Sequence, residues 1–518
     1  MKKSKESKPI RGAEINEEDL LSFVKRSMLV YGQEVNLERA VPDFRDGFKP
    51  VQRRIAWSTH LLRTRQLKAA RIVGDCMGKF HPHGDASIYG ALVNMVTATV
   101  NQMDGVGNWG TISDQAAAMR YPTAGLSNFG KTFFNRHFTP IIDYVPNFDR
   151  SEREPLVLPS LLPNLLFNGT SGIGVGLNTD IPSFSPGSVL KLMLRMLDGE
   201  KLSASDFAKD LVFTFPYGGV VTKTKKNRKA ILNFMENRKG TVEWHSPLEI
   251  DTKKKEVTLF KFAPEVDPKV LAEGKKDKKG NVKKKGLKDW DNVSRVTSSK
   301  GVSIAVRAHK DLNANEFTEL AEKIAVATTR KISYEIYVTE RIAAPELGEG
   351  RYKVEFFSCS IPELFAKWLK WRVKLEVRSL DWQIQKQQEV IEYVKLMIYA
   401  SDNLETVFKA LKSKESAEYL QKHLKITLVQ ANQILDLQVR RLSALDRTKL
   451  DEQLKKEKAK MEDLKKKRKD PAGQVRIFLA AASQAFEEHS QFAGTDQYRM
   501  KTLQLKDEEE AEEALAEE

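Results

Sequence analysis

Cysteine is nearly absent from this 518-residue chain: only Cys76 and Cys359 occur. Two cysteines build neither a disulfide framework nor a cysteine-ligated zinc site, and they suit a reducing compartment. No apolar run approaches the ~20 residues that a membrane-spanning helix needs. The first residues, Met1-Lys2-Lys3-Ser4-Lys5, are basic, but no apolar stretch follows as it would in a secretory signal. These absences point to the cytoplasm. Aromatic residues make up only 8% of the chain. There is no internal repeat, and no Gly-rich loop ending in Lys-Ser/Thr of the kind that cradles the phosphates of ATP.

Charge is abundant. Charged residues are 30% of the total, the net charge is +15 and the isoelectric point is about 9.4. A basic excess of this size favours a polyanionic partner, nucleic acid first and an acidic membrane second. The chain is also too long for one hydrophobic core, so several domains are expected.

Apolar spacing at Leu20, Leu21, Val24 and Met28 predicts a helix from Glu17 to about Leu37, after a flexible arm. A basic helix is expected from Val51 to about Arg63. Ala69 to Met77 and Ser87 to about Gln102 read as two helices across a tight His-Pro-His-Gly-Asp turn, the shape of a helix-turn-helix. From Gly105 to Gly176 the chain is rich in Gly and Pro, with strand-like runs such as Pro155 to Pro159. Residues 187–345 mix short strands (Gly219–Thr222, Gly301–Val306, Ser333–Val338) with helices, a separate α+β domain. Within it Gly274 to Lys288 is Lys-rich and reads as a mobile loop. Leu364, Trp368, Trp371 and Leu375, then Val377, Leu380, Ile384, Ile391, Val394 and Ile398, form a stripe that predicts a long helix from Ile361 to about Tyr399 in a coiled coil or bundle. A second long helix is expected from Thr448 to Arg468, stopped by Asp470-Pro471-Ala472-Gly473. Between them lies a helical knot around Gln430 to Leu437. Asp507 to Glu518 is an acidic tail expected to be disordered.

Candidate chemistry gathers in four motifs. In Ala116-Ala117-Ala118-Met119-Arg120-Tyr121, a phenol stands beside a guanidinium. Ionising a phenol of pKa ~10 costs about 4 kcal/mol at neutral pH. An adjacent cation lowers that cost and can also hold a phosphate oxygen. Gly78-Lys79-Phe80-His81-Pro82-His83-Gly84-Asp85 offers two imidazoles and a carboxylate, a thin ligand set for a metal with no further His/Cys cluster nearby. Pro42-Asp43-Phe44-Arg45-Asp46-Gly47-Phe48-Lys49-Pro50-Val51-Gln52-Arg53-Arg54 adds cations that could equally form a solvated basic face. Asn168-Gly169-Thr170-Ser171-Gly172-Ile173-Gly174-Val175-Gly176 lacks the G-x-G-x-x-G spacing of a dinucleotide loop, and an Ile there is most simply a core residue.

In this order, the four motifs resemble the breakage–reunion subunit of type IIA DNA topoisomerases: gyrase A, topoisomerase IV A and phage medium subunits. The match is collinear from Arg39 to Pro182 and returns in Gln430 to Leu450. The resemblance implies that Tyr121 is the nucleophile that joins the DNA 5′ phosphate, so that religation needs no ATP. It places Arg120, Arg39, His81 and His83 at the scissile phosphate. Lys49, Arg53, Arg54 and Lys79 would line the cut duplex, and Ile173 would wedge between base pairs. No metal ligand is assigned to this chain.

Two positions depart from bacterial relatives. Ala86 and Gly90 stand where a Ser and an acidic residue anchor quinolones through a magnesium-bound water, and neither side chain can hydrogen-bond that water. Weak quinolone sensitivity is therefore expected; an inhibition curve matching that of a sensitive bacterial enzyme would overturn it. Gln52 stands where relatives commonly carry His.

The family's Mg²⁺-binding acidic cluster (Glu with Asp-x-Asp) and its ATP-binding domain are not recognisable here. The resemblance assigns both Mg²⁺ and ATP to a B-type partner, with this chain a homodimer inside a heterotetramer on double-stranded DNA, in a bacterium or phage-infected cell. No room is found for gyrase's DNA-wrapping domain, so relaxation or decatenation is expected rather than negative supercoiling. The expected fold is multidomain α+β: an arm (1–25), a winged-helix DNA-cleavage domain (26–182), a tower (183–345), an antiparallel coiled-coil exit gate (346–485) with a dimerising knob at about 425–450, a C-terminal segment (486–506) and the acidic tail (507–518). Two other readings fit parts of the sequence. A non-enzymatic architectural DNA-binding protein would keep every activity in Tyr121→Phe. A metal-dependent phosphoesterase using His81, His83 and Asp85 would hydrolyse DNA with no covalent intermediate.

Overall fold

A computed structural model describes residues 19–501 apart from 223, 278, 280, 300–302, 414, 437–446 and 490–496. Most of the expected arm, part of the expected knob and the acidic tail lie outside the described residues. The first helix, α1 (Leu20–Val35), starts at the cap Asp19, whose carboxylate accepts Ser22 N. Its apolar side chains, among them Leu20, Leu29 and Val30, stand exposed. The chain then widens into a π-helical turn, Asn36–Ala40.

Residues 42–54 form a buried polar anchor. Asp43 is fully buried; Arg45 donates to it through Nε (2.9 Å) and Nη2 (2.8 Å), and Arg341 N adds a third bond at 2.9 Å. Burial alone would raise the Asp43 pKa, but Arg45, Arg341 and Arg53 hold it below the ordinary value. The anchor ties this segment to the strand Tyr337–Ala343, nearly 300 residues away in sequence. Gly47 turns the chain at φ +69°, where a Cβ would meet Leu165 N at 2.5 Å.

Helix α2 (Pro50–Leu61) opens with proline at its first position, where no N–H is needed. Helix α3 (Ala69–Lys79) buries Ala69, Ile72, Val73 and Cys76, a single 3.6-period face. Helix α4 (Asp85–Val96) follows, with Asp85 in its first turn and Ile88, Leu92, Met95 and Val96 inward; each large apolar side chain so buried contributes about 1.5–3 kcal/mol. It ends six residues earlier than its apolar run suggests. There Thr99 O accepts Tyr498 N (2.7 Å) and Val100 bridges to Tyr498, so pairing with the strand Gln497–Met500 replaces the helix. A three-stranded antiparallel sheet, in the order β1 (Leu67–Lys68), β3 (Thr123–Leu126), β2 (Met103–Val106), packs on these helices.

Further along, several expectations change. Within Pro155–Pro159 only Pro155 is in a strand; Leu156, Val157 and Leu158 are buried core without ladder partners. Residues 219–222 form one isolated bridge, Val220 to His245. The Ser333–Val338 run spans two strands, Arg330–Glu335 and Tyr337–Ala343, broken at Ile336. In the Lys-rich segment, Lys275–Lys276 pairs with Val282–Lys284 as a short hairpin. Strands 170–173 and 178–181 form a hairpin that continues through 330–335 to 239–244 in one four-stranded sheet. One buried cluster runs from Phe44 through the 183–345 segment to the start of the long helix, so the expected boundary at 182/183 crosses a shared core.

The long helix is Ile361–Asp402, and its partner is Arg447–Lys469. Arg447 meets Asp402, Gln387 meets Glu457 and Arg468 meets Asp381, so the two run antiparallel. Asp470-Pro471 does stop the second helix, but it also opens a third, Pro471–Ala485, capped by Asp470. None of the described helices is long and apolar enough to cross a membrane.

Candidate functional site

Tyr121 sits on the turn just before β3, 61% exposed. Its loop is fixed from both ends. Ala69 N and Ala70 N, at the open end of α3, donate to Pro122 O and Met119 O, both at 3.0 Å; these are amides that a helix start leaves without partners. Lys68 Nζ donates to Tyr121 O (2.9 Å), Tyr121 N donates to Ala118 O (2.9 Å), and Tyr89 Oη donates to Ala117 O. The phenol itself has one neighbour of consequence. Arg120 Nη2 donates to its oxygen at 3.3 Å, with the guanidinium 4.7 Å from the ring centroid. A cation therefore lies against the oxygen of an accessible phenol, ready for an anionic substrate.

A second group of expected residues meets elsewhere. A cavity of about 490 Å³ is lined by Arg39, Lys49, Gln52, His81 and His83, together with Tyr31, Glu34, Glu38 and Asn94. Arg39 is exposed at the end of the π-helical turn. His81 is buried, with its ring 4.4 Å from that of the exposed His83. Arg54 Nη1 lies 3.1 Å from His81 Nδ1. Arginine can only donate, so Nδ1 accepts and the neutral ring carries its proton on Nε2, free to serve as a donor. Burial, then the positive Arg54, His83 and Arg39, push His81 down to about 3.

The His81 shift has a consequence for stability. The folded state keeps His81 neutral while the unfolded chain takes up a proton below pH 6.5. Stability from this group is therefore complete above pH 6.5 and is lost as pH falls toward 3. The expected loss by pH 5 is on the order of 2 kcal/mol. Melting temperatures of the wild-type chain and of His81→Asn at pH 7.5 and 5 check this: the variant should lose less on acidification, and equal losses would refute it.

Other expected contacts resolve differently. Arg53 does not face the cavity. It is 5% exposed, donating to Asp46 through Nε (2.6 Å) and Nη2 (3.0 Å) and to Phe48 O (3.1 Å). Expected among the cations that line DNA, it spends its guanidinium on these framework bonds, and its removal would strand a buried carboxylate. Arg54 is half-buried and grips Glu154 through two bonds, 2.7 and 2.8 Å; its remaining nitrogen is spent on His81, so it too orients rather than reaches outward. Lys79 pairs with Asp75 (2.9 Å) but remains accessible. Lys49 Nζ donates to Ser171 O, and burial lowers its pKa with Asp180 opposing. Asp180 is pushed up to about 6 by burial and by Glu265.

Ile173 is 84% exposed at the end of strand Thr170–Ile173. A core role is overturned, and so is a dinucleotide loop, because residues 174–177 turn between two strands rather than opening a helix. Ala86 and Gly90 are exposed on α4. Among the described residues, no three His, Cys, Asp or Glu side chains converge as a metal site. Sequence reading missed Glu154, Lys68 and Asn36. Lys68 was findable, as the residue preceding α3; Glu154 lies 100 positions from its partner with no local signal. Asn36 binds Val175 across 139 positions.

A family model for the DNA gyrase/topoisomerase IV A subunit matches residues 39–481. The chain is 30% identical over 452 residues to the DNA gyrase A subunit of Clostridium acetobutylicum, covering 84% of this chain and 52% of that protein. Against the gyrase A subunit of Halalkalibacterium halodurans it is 30% identical over 466 residues, 87% of this chain and 54% of the relative. Against that of Helicobacter pylori the figures are 28% over 447 residues, 83% and 52%. The chain thus spans about half the length of the relatives it matches.

Proposed function

The chain belongs to the family of DNA gyrase/topoisomerase IV A subunits, and from that premise we propose that it is the DNA-cleaving component of an ATP-dependent type II topoisomerase. The observation that carries the reading is Tyr121: an exposed phenol, on a loop anchored to α3, with Arg120 on its oxygen. Tyr121 Oη attacks the scissile phosphorus, the P–O bond to the 3′ oxygen breaks, and a 5′-phosphotyrosine and a free 3′-hydroxyl result. The reverse attack by that hydroxyl reseals the strand without ATP, because the ester conserves the bond energy.

Arg39 and His81 Nε2–H supply charge and a hydrogen bond to the phosphate oxygens as negative charge shifts in the transition state. Arg54 and Glu154 orient His81 and hold its tautomer. The lining of the cavity that holds Arg39, His81 and His83 includes Tyr31 but not Tyr121. Two copies of the chain complete each other, Tyr121 of one entering the cavity of the second, and the two sites cut opposite strands. Lys49 and Lys79 contact flanking phosphates, and Ile173 enters the base stack and bends the duplex. The segments 26–182, 183–345 and 346–485 act as DNA gate, tower and exit gate. Mg²⁺ and ATP belong to a B-type partner, and no step is assigned to them.

The test traps the intermediate with detergent. The chain, its partner from source-cell extract, Mg²⁺ and labelled DNA are mixed and then denatured. Protein attached to DNA 5′ ends is expected, along with relaxation of supercoiled plasmid and decatenation, the strand-passage reactions proposed. DNA binding with no attachment, despite a recovered partner, would replace this reading with that of an architectural protein.

A further inference from the structure

The tip of the 170–181 hairpin is held on both sides and free at its centre. Ile173 projects into solvent, 84% exposed. On one side of it, Lys49 Nζ donates to Ser171 O. On the other, the Asn36 carboxamide engages both main-chain groups of Val175: Nδ2 donates to Val175 O at 3.1 Å and Oδ1 accepts Val175 N at 2.7 Å. A neighbouring strand would hold a residue in the same way; here one side chain does it. Glycine makes the approach possible. A Cβ on Gly174 would stand 2.2 Å from Asn36 Oδ1, and one on Gly172 would stand 2.2 Å from Ala40 O. Helix α1 closes the back, with Gly32 against Val175.

We infer that Asn36 is a positioning residue for DNA bending: it fixes the hairpin tip so that Ile173 is presented before DNA arrives. The inference rests on the wedge reading of Ile173. Inserting an apolar side chain between base pairs is costly, and a loose tip would add the entropy of ordering to that cost. Asn36 also opens the π-helical turn Asn36–Ala40, which contains Arg39. The segment that grips the wedge therefore carries a cation of the proposed cleavage site, and bending is geometrically tied to strand cutting.

The test measures bending by energy transfer between the ends of a labelled duplex bound to the full chain, with affinity measured separately by fluorescence anisotropy. Asn36→Ala loses two hydrogen bonds and should reduce the bent population about tenfold. Affinity at low salt should stay within about twofold, because the phosphate contacts remain. In the trapping assay, kcat for cleavage should fall while KM for DNA holds. Asn36→Asp keeps the acceptor for Val175 N but sets an oxygen against Val175 O, and should fall between wild type and Ala without disturbing the end of α1. Ile173→Ala is run beside both. If Ile173→Ala abolishes bending and the Asn36 variants bend like wild type, the positioning role is wrong and the wedge reading survives. If Ile173→Ala bends normally, the wedge reading fails and takes this inference with it.

Discussion

Tyr121→Phe should abolish covalent attachment to DNA and lower strand passage by roughly 10⁴-fold or more, the scale seen when an enzyme loses its nucleophile. DNA affinity and melting temperature should not move. The second half of this expectation makes the experiment decisive. Tyr121 is exposed, and the variant deletes one oxygen whose hydrogen bond to Arg120 is 3.3 Å long and open to solvent. Phe keeps the ring under the Arg120 guanidinium, and the loop is held by main-chain bonds to Ala69 and Ala70 that the substitution does not touch. A surface change of this kind falls within about 0.5 kcal/mol of neutral. Tyr89, whose side chain meets the same loop, does not substitute for it: its Oη is engaged with Ala117 O, and burial raises its pKa. The readout is 3′-end-labelled DNA, whose cut fragment carries the new 5′ end, retained with protein after detergent and separated from unbound DNA by electrophoresis. Retention of wild-type attachment in Tyr121→Phe would show that another group makes the bond.

How much of this was legible in the sequence depends on the range over which each feature is encoded. Helix α3 was readable because Ala69, Ile72, Val73 and Cys76 mark one face within eleven residues. The long helix was readable because apolar residues recur at helical spacing from Leu364 to Leu375 and again, after a small phase shift, from Val377 to Ile398. Motif residues such as Tyr121 and His81 were readable as types and spacings. Local pattern fails where a residue's role is set by a partner far along the chain. Arg53 and Arg54 look alike as neighbouring cations on a basic helix; only the fold sends one to Asp46 and the other to Glu154 and His81. Asn36 lies near the end of the helix expected from Glu17 to about Leu37, and its contact exists only once Val175 is brought beside it. The helix Pro471–Ala485 was missed for a different reason. A proline after a long helix reads as a stop, yet at the first position of a new helix, capped by Asp470, the same proline is a start.

A heterodimer of one Tyr121→Phe chain and one Arg39→Ala chain should cut one DNA strand, although each homodimer cuts none at a detectable rate. The two positions were expected at one phosphate; Arg39 lines the cavity with His81 and His83, and Tyr121 is not in that lining. If each site pairs the tyrosine of one copy with the cavity of the other, the mixed dimer holds one site with both lesions and one with neither. The intact site makes single-strand nicks at about half the wild-type number of cleavage events, and the nicks carry protein on the 5′ end. If each chain instead folded its own Tyr121 onto its own Arg39, both sites would carry a lesion and the mixed dimer would be as inert as either parent. Arg39 suits this purpose because it is exposed, so Ala removes a charge without opening the core, whereas Arg53→Ala would leave Asp46 buried and unpaired at a cost of about 3–5 kcal/mol. Differently tagged chains, co-expressed and purified through both tags, supply the mixed dimer, and nicked against linear plasmid after detergent and protease is the readout. Nicked circles from the mixed dimer alone make the site a shared one. Their absence, with both parents folded and bound to DNA, would place Tyr121 and Arg39 in the same chain's site and require the 116–121 loop to move to reach it.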